Sequence, residues 1–460
     1  MNPVVESLYY KSPVFLQNLA VSLMGLRLRA ERYRPAGEEK LKELLISSQF
    51  TAEQMCAYQS EQFVQLARHA IYNTEFYRRW AKEQGISVSD IRSLADIKQF
   101  PVIEKNFIRE NAALFKAGPR NVTAKPMTLF TSGTTGTPLS VFTDQDSRSE
   151  HYAFFSRLRS WYGVDPVARR ATLFGRIIMP AVQKKPPFWR YDAAQKNLLM
   201  SSYHLKPENV IHYYNKLRTY QPQEIFSYPS SITRIAEFIV AEKLPPLPLK
   251  LLMTTAENLH EWQKTLLQQA FDAPIVNQYG CTEMAFFVSS LPDGSMRFHP
   301  EHGIAEVRTP SGEIAEQGEG ELVVTGLVNY SMPVIRYAIG DTVTIGSANA
   351  NGFPELVQVH GRKDDVIYMC DGTPVGRLDP IFKGGSGIRA AQILQDQSGA
   401  ISLRLVPDET YTEQAGIDLR RELIKRVGDD LPIEIALVNE IAKEKNGKFK
   451  PVISNFKKGQ

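Results

Sequence analysis

Between residues 207 and 280 the sequence switches repeatedly between helical and extended patterning, and this alternation restricts the available folds more than any other feature. A helical stretch from about Pro207 to Leu217 precedes the apolar run IFSYPSSI at 225–232. LKLLMTT at 249–255 reads as a strand, ENLHEWQKTLLQQAF at 257–271 as a helix and PIVNQYG at 274–280 as the next strand. Short apolar runs mark buried strands, and apolar residues every three or four positions mark helices. Their alternation implies a mainly parallel sheet covered by helices. Sites in such sheets lie beyond the carboxyl ends of the strands. Ser230 or Ser231 is placed to cap a helix beginning there.

The flanking segments extend this pattern. The first 100 residues read as helical. In 52–72, Met55, Phe63, Leu66 and Ala70 share a face interrupted by Gln59. Tyr152, Phe155, Leu158 and Tyr162 have helical spacing within 146–162. NVTAKPMTLF at 121–130 enters a strand, and KKPPFWRYD at 184–192 reads as a loop. After residue 300 short strands with glycine-containing turns take over, as in GELVVTG at 320–326 and DTVTIG at 341–346. The polar run HGRKDD at 360–365 marks a domain boundary. Beyond it, strands are expected at 391–394, 401–405 and 433–437, with a helix near 415–427. The fold class is therefore α/β. A large domain over 1–361 has layered, mainly parallel sheets and a β-rich subdomain, and a small α/β domain covers 362–460.

Charge and cysteine usage exclude several functions. Lys plus Arg is 54 and Asp plus Glu is 50, so the net charge of +4 is small for 460 residues. Nothing here favours nucleic acid as a partner. Cys56, Cys281 and Cys370 are too few and too far apart for a disulfide framework or a zinc knuckle. They fit a reducing compartment, the cytoplasm. The N-terminus lacks a basic region before an apolar core, so no secretory leader is expected. The most apolar stretch, 14–28, contains Gln17, Asn18 and Ser22 and is too short to span a bilayer. Arg27, Arg29, Arg32 and Arg34 overlap its end or follow it. A helix packed on its own domain is the favoured reading, ahead of one lying on an anionic membrane surface.

Four motifs could carry chemistry. TSGTTGTP at 131–138 sets Gly133 and Gly136 among the hydroxyls of Thr131, Ser132, Thr134, Thr135 and Thr137. Backbone N–H groups and hydroxyls converging in this way suit a phosphate. The motif has no lysine, so it is not a Walker A loop. In YGCTE at 279–283, Tyr279 offers a ring face and Glu283 an oxygen ligand for a divalent cation. In RYAIGD at 336–341, Asp341 follows Gly340 at a turn and could accept hydrogen bonds from two sugar hydroxyls. In KEKNGKFK at 443–450, Gly447 allows a sharp turn that projects Lys448. Taken singly, the last three are more often packing, a turn and a solvated tail.

In the order TSGTTGTP, TAENL, YGCTE, RYAIGD, GRKDD, NGKFK, the chain resembles the AMP-forming adenylate-forming enzymes. It looks most like the phenylacetate–CoA ligase branch and its capsular-polysaccharide members, as PVIEKNFIREN at 101–111, FWRY at 188–191 and YPSS at 228–231 indicate. The resemblance implies an enzyme that uses ATP and Mg²⁺ to turn a carboxylic acid into an acyl-adenylate, with coenzyme A as the expected co-substrate. Thr131, Ser132, Gly133, Thr134, Thr135 and Gly136 would hold the β- and γ-phosphates. Ala256 and Glu257 would line the adenine pocket, and Tyr279 would stack on the base. Thr282 would touch the α-phosphate and Glu283 would bind Mg²⁺. Asp341 would bind the ribose, and Arg362 would help orient the nucleotide. Asp364 would be the hinge of a mobile C-terminal domain that carries the catalytic Lys448, with Lys450 nearby. The segment VIYMCDGTPVGRLDPIFKGGSGI departs from the glycine-rich segment usual after the hinge. Acyl transfer to a hydroxyl or amine of a polysaccharide precursor therefore stays open beside transfer to CoA, as does a non-catalytic scaffold role. Trp189, His204 and Tyr228, with Tyr152, Phe155, Tyr191 and Phe286, are candidates for the acid pocket, although a buried histidine is more often structural.

Overall fold

The computed structural model describes residues 8–118, 123–131, 139–176, 178–180, 183–362, 367–369, 374–375, 378, 387–427, 431–442 and 449–456. The chain forms two compact units. One comprises Met1–Glu306, Val323–Ala338 and Gly346–Leu356, and the other Val307–Leu322, Ile339–Ile345 and Val357–Gln460. The boundary expected at 361/362 falls within the strand Pro354–Arg362.

The α/β alternation forms the frame of the first unit. Its main sheet contains β1 (Arg170–Phe174), β2 (Trp189–Asp192), β3 (Asn197–Ser201), β4 (Glu224–Ser227), β5 (Leu251–Thr255), β6 (Ile275–Gly280), β7 (Phe287–Ser290) and β8 (Met296–Phe298). In space the order is β8-β7-β6-β5-β4-β1-β3-β2. The five strands from β6 to β3 in that order run parallel, and β2, β7 and β8 are antiparallel to their neighbours.

Helices cover both faces, and β5 shows why. Leu252 joins one apolar cluster, whereas Leu251 and Met253 join another. Successive strand residues face opposite ways, so a strand buried on both sides reads as an unbroken apolar run. On the Leu252 face lie α5 (Val210–Tyr220), α6 (Pro229–Ala241) and α7 (Glu261–Ala270). In α6, Ile232, Ile235, Ala236 and Ile239 form a buried stripe at spacings of three, four and seven. The opposite face receives α2 (Pro35–Ser47) and α4 (Gln145–Trp161) through Leu44, Phe154 and Leu158. Nearer the N-terminus, α1 (Val14–Arg32) lies against β2, and α3 (Ala52–Asn73) buries Met55, Phe63, Leu66 and Ala70 as its spacing predicted.

Charge is buried where α4 docks. Arg157 is fully buried, and its Nη1 donates to Glu301 Oε1 at 2.6 Å and to the Leu44 carbonyl at 3.1 Å. Its Nη2 donates to His299 Nδ1 at 2.6 Å, so the other ring nitrogen, Nε2, carries the proton toward Ser289 Oγ at 2.8 Å. His151 Nδ1 lies 2.9 Å from His302 Nε2. Burial holds all three histidines well below their ordinary pKa, His151 at about 3. Arg159 grips Glu224 through two bonds of 2.7 and 3.0 Å.

The second unit has its own core. Strands β9 (Ile388–Gln395), β10 (Ile401–Pro407), β11 (Ile433–Leu437) and β12 (Val452–Ser454) are ordered β11-β10-β9-β12. β10 and β11 are parallel, joined by α8 (Glu413–Val427), which sets Leu419, Leu423 and Val427 among Ile393, Ile401, Leu403 and Leu405.

Four local expectations need correction. Residues 189–192 form a strand rather than a loop, because Arg190 is buried and its Nε donates to Gln17 Oε1 at 2.6 Å. Neither Ser230 nor Ser231 is the N-cap of α6. Tyr228 holds that position with Pro229 as the first helical residue, where a missing N–H costs nothing. The helix expected at 257–271 begins only at Glu261, because His260 is extended (φ −82°, ψ 152°) and caps it, its backbone N–H donating to Gln263 Oε1 at 3.0 Å. Gly340 and Asp341 lie within the strand Tyr337–Ala348, not at a turn, and the positive φ of Gly340 (86°) is absorbed inside that strand.

Candidate active site

Parallel strands β1, β4, β5 and β6 are consecutive neighbours, so the residues after their carboxyl ends share one edge. That edge carries Tyr228 after β4, Ala256 and Glu257 after β5, and Tyr279 to Glu283 at and after the end of β6. Most of them have an identifiable contact that fixes their place. The Ala256 backbone turns the chain out of β5 and carries Glu257 to the start of α6. There its carboxylate accepts from the Ser230 backbone N–H at 2.9 Å and from Ser230 Oγ at 3.0 Å. A negative side chain thus satisfies a helix N-terminus, where the dipole favours it. Burial, followed by the Glu257 carboxylate, pushes the Tyr228 hydroxyl above its ordinary pKa. Its ring packs edge-on to Phe174 at 5.2 Å.

Tyr279 is half-buried and meets Phe286 edge-on at 4.8 Å. One strand inward, Gln278 accepts from Thr255 Oγ1 at 2.7 Å and ties β6 to β5. The chain then folds back sharply: Met284 has φ 55° and its N–H donates to the Cys281 carbonyl at 3.1 Å. Glycines seat this turn. A Cβ on Gly303 would stand 2.1 Å from the Ala285 carbonyl oxygen, and one on Gly326 would stand 2.8 Å from Ala285 Cα. Glu283 is thereby held in a buried position, where Tyr337 Oη donates to its Oε1 at 2.8 Å. Burial and the Glu283 carboxylate push the Cys281 thiol well up, so it stays neutral and able to donate. Half-buried Thr282 lies in the same turn.

The other expected site residues are placed as follows. Thr131 follows the strand Pro126–Phe130, which pairs antiparallel with Ser140–Asp144. Its Oγ1 accepts from the Leu139 N–H at 3.0 Å. Ser132, Gly133, Thr134, Thr135 and Gly136 lie outside the described residues, as do Asp364 and Lys448. Asp341 is half-buried on its strand in the second unit, and Arg362 ends the strand Pro354–Arg362. His204 has both ring nitrogens engaged, Nδ1 with Ser201 Oγ at 2.8 Å and Nε2 with the Pro180 carbonyl at 3.1 Å. It also stacks on Phe188 at 5.5 Å, an arrangement that serves packing. Trp189 packs against Tyr213. Sequence reasoning missed Tyr337, the donor to Glu283, and Ser230, the partner of Glu257. Both belong to quoted stretches, Tyr337 to RYAIGD and Ser230 to YPSS.

Glu283 presents a hard carboxylate beside the Tyr337 hydroxyl. A carboxylate there suits Mg²⁺, which binds proteins through one or two carboxylates and completes its shell with water and substrate phosphates. Among the described residues no group of three or more His, Cys, Asp or Glu side chains could hold a metal by itself.

Comparison with known proteins agrees with the fold. Residues 368–455 match the family described as the CapK C-terminal domain. Protein CapK of Staphylococcus aureus is 28% identical over 464 residues, spanning 99% of this chain and 100% of that protein. The phenylacetate-coenzyme A ligase of Aromatoleum evansii is 25% identical over 334 residues, 69% of this chain and 72% of the ligase. In three dimensions the chain is similar to 2-hydroxyisobutyryl-CoA ligase in the postadenylation state, with a TM-score of 0.65 and 20% identity. That likeness covers 88% of this chain and 90% of the ligase, and it establishes a shared fold. The motifs, the fold and the relatives agree: the chain resembles the AMP-forming adenylate-forming enzymes of the phenylacetate–CoA ligase branch, with likeness to its CapK-type members.

Proposed function

We propose that the protein is an AMP-forming ligase that activates a carboxylic acid with ATP and then passes the acyl group to coenzyme A. The observation that carries this reading is the shared edge of β1, β4, β5 and β6, with Tyr228, Glu257, Tyr279 and Glu283 on it. The phenylacetate-coenzyme A ligases among its relatives support CoA as the acceptor.

The chemistry accounts for the residue types. A carboxylate oxygen attacks the α-phosphorus of ATP, a new P–O bond forms, and pyrophosphate leaves with the electrons of the broken one. The nucleophile is already ionised at neutral pH, so no general base is needed. Tyr279 stacks on adenine, Ala256 and Glu257 border it, and Asp341 takes the ribose hydroxyls. The hydroxyls and N–H groups of residues 131–136 hold the departing phosphates. Thr282 touches the α-phosphate, and Lys448 offsets the charge that builds on the transferring group. Mg²⁺, held by Glu283, would screen the phosphate charge. Tyr337 orients the Glu283 carboxylate by donating to it. We place the reaction in the cytoplasm, where ATP is supplied and Cys56 and Cys281 stay thiols.

The test is pyrophosphate release from ATP with a panel of carboxylic acids, each with and without CoA. AMP and pyrophosphate are expected, with turnover accelerated by CoA. ADP and inorganic phosphate as products would overturn the reading. Adenylate formation that ignores CoA would redirect the acyl group to a sugar hydroxyl or amine.

A further inference from the structure

Helix α1 is amphipathic the wrong way round. Its polar and small residues face the protein. Gln17 Oε1 accepts from Arg190, Asn18 Oδ1 accepts from the Tyr191 N–H at 3.0 Å, and Ser22 Oγ accepts from the Ala193 N–H at 3.0 Å. Gly25 sits so close to β2 that a Cβ would fall 2.1 Å from an Asp192 carboxylate oxygen. These contacts fix the rotation of the helix and leave its apolar side outward. Phe15, Leu19, Leu23 and Leu26 are 69, 55, 59 and 54% exposed, with Leu16 and Met24 exposed beside them. A helix on a water-soluble surface normally buries that stripe and presents the other. A contiguous exposed apolar patch marks an interaction surface.

Charge identifies the partner. From residue 11 to 34 the chain carries Lys11, Arg27, Arg29, Arg32 and Arg34 against a single acid, Glu31, which is buried and paired with Arg27; Arg34 pairs with Asp146 and Arg32 lies over the Tyr152 ring, which leaves Lys11, Arg27 and Arg29 as the exposed cations. At 100° per residue, Phe15, Leu26, Leu19 and Leu23 span about 80° of the wheel; Arg29 lies about 40° beyond one edge and Arg27 about 40° beyond the other. Both arginines are exposed; Arg27 donates through Nε to Glu31 and Arg29 through Nη1 to the Ala194 carbonyl, and a guanidinium carries five N–H donors, so each has others to offer a phosphate. An apolar stripe bordered on both sides by arginine suits the interface of an anionic bilayer, where apolar side chains enter the acyl region and guanidinium groups stay at the phosphates. No helix among the described residues is long and apolar enough to cross a membrane, so the contact is one of lying on the surface. We infer that α1 docks the protein peripherally on an anionic lipid surface, through Phe15, Leu19, Leu23 and Leu26 with Arg27 and Arg29 at the phosphates. This placement does not depend on the reaction proposed above.

The 460-residue chain is sedimented with vesicles of phosphatidylcholine, with and without phosphatidylglycerol. The variants are Leu19→Glu with Leu23→Glu, and Arg27→Glu with Arg29→Glu, each checked for folding by circular dichroism. The wild type is expected to pellet with the anionic vesicles and to release as salt rises. Each double variant should bind at least about tenfold more weakly. Equal binding to neutral vesicles, or none to either, overturns the inference. So does a wild-type dimer, seen by light scattering, that Leu19→Glu with Leu23→Glu disperses in a protein indifferent to vesicles; a second copy would then be the partner.

Discussion

Replacing Tyr337 with phenylalanine removes one oxygen atom and tests the placement of the metal. Tyr337 is completely buried, so the ring keeps its packing while the bond to Glu283 is lost. That bond, 2.8 Å long, joins a buried hydroxyl to a buried carboxylate. A hydrogen bond to a charged group contributes about 1.5–3 kcal/mol, and the acceptor left behind stays buried, so stability should fall by that amount. If Glu283 holds Mg²⁺, Tyr337 is the partner that orients the ligand, and losing such a partner typically weakens metal binding about 10–100-fold. The Mg²⁺ dependence of ATP binding by calorimetry, and of pyrophosphate release with an acid the wild type uses, should shift upward by that factor. Tyr77→Phe is the control. Its hydroxyl is also fully buried and accepts from the Ile335 N–H at 2.8 Å, so it too should destabilise the fold, yet it does not touch Glu283. A destabilised Tyr337→Phe protein whose Mg²⁺ dependence matches those of the wild type and Tyr77→Phe would refute the assignment of Glu283 as the metal ligand.

Three further outcomes are expected. His151, His299 and His302 stay neutral in the fold below the 6.5 at which they ionise when unfolded, so the unfolded chain gains protons that the folded one refuses. Stability is therefore intact above pH 6.5 and falls below it, by about 4 kcal/mol at pH 5.5 if all three act independently; a urea midpoint unchanged between pH 7.5 and 5.5 would contradict this. Gly303→Ala forces a Cβ against the Ala285 carbonyl, so the turn bearing Glu283 should shift, with a loss of about 1–3 kcal/mol and a raised Mg²⁺ requirement, both read as for Tyr337→Phe. Lys448→Ala should slow adenylation about 10²–10³-fold while ATP binding weakens far less, a difference that stopped-flow pyrophosphate release and calorimetry separate.

The fold was legible where patterning repeats. The strands at β5 and β6, the helix at 52–72 and the C-terminal β10-α8-β11 run follow from apolar period and length, because each element buries a face wide enough to write itself into the sequence. Errors fell where a single residue outweighs the pattern. His260, extended and bonded to Gln263, delays α7 to Glu261, and Gly340 takes a positive φ inside a strand that looked like a turn. The strand Trp189–Asp192 was hidden by the prolines before it and by Arg190, whose burial depends on Gln17, 173 positions away.

The site divides in the same way, into residue types that local sequence announces and partners that only the tertiary fold supplies. A carboxylate after a strand end is visible in YGCTE, but nothing nearby shows what holds it. The donor, Tyr337, is 54 positions downstream, and the turn that positions it is seated on Gly303 and Gly326. Glu257 likewise reads as a liner of the adenine pocket, while the structure also gives it a second task, closing the N-terminus of α6 through Ser230, 27 positions earlier. Such a carboxylate cannot swing toward a ligand without uncapping the helix, so any contribution it makes to nucleotide binding comes from a fixed position. The same logic explains α1. Hydropathy detects its apolar content but not its rotation, and the rotation is set by Gln17, Asn18, Ser22 and Gly25, the residues that made it look unlike a membrane segment. Their polarity pins the helix to the protein, and that is what leaves Phe15, Leu19, Leu23 and Leu26 facing outward.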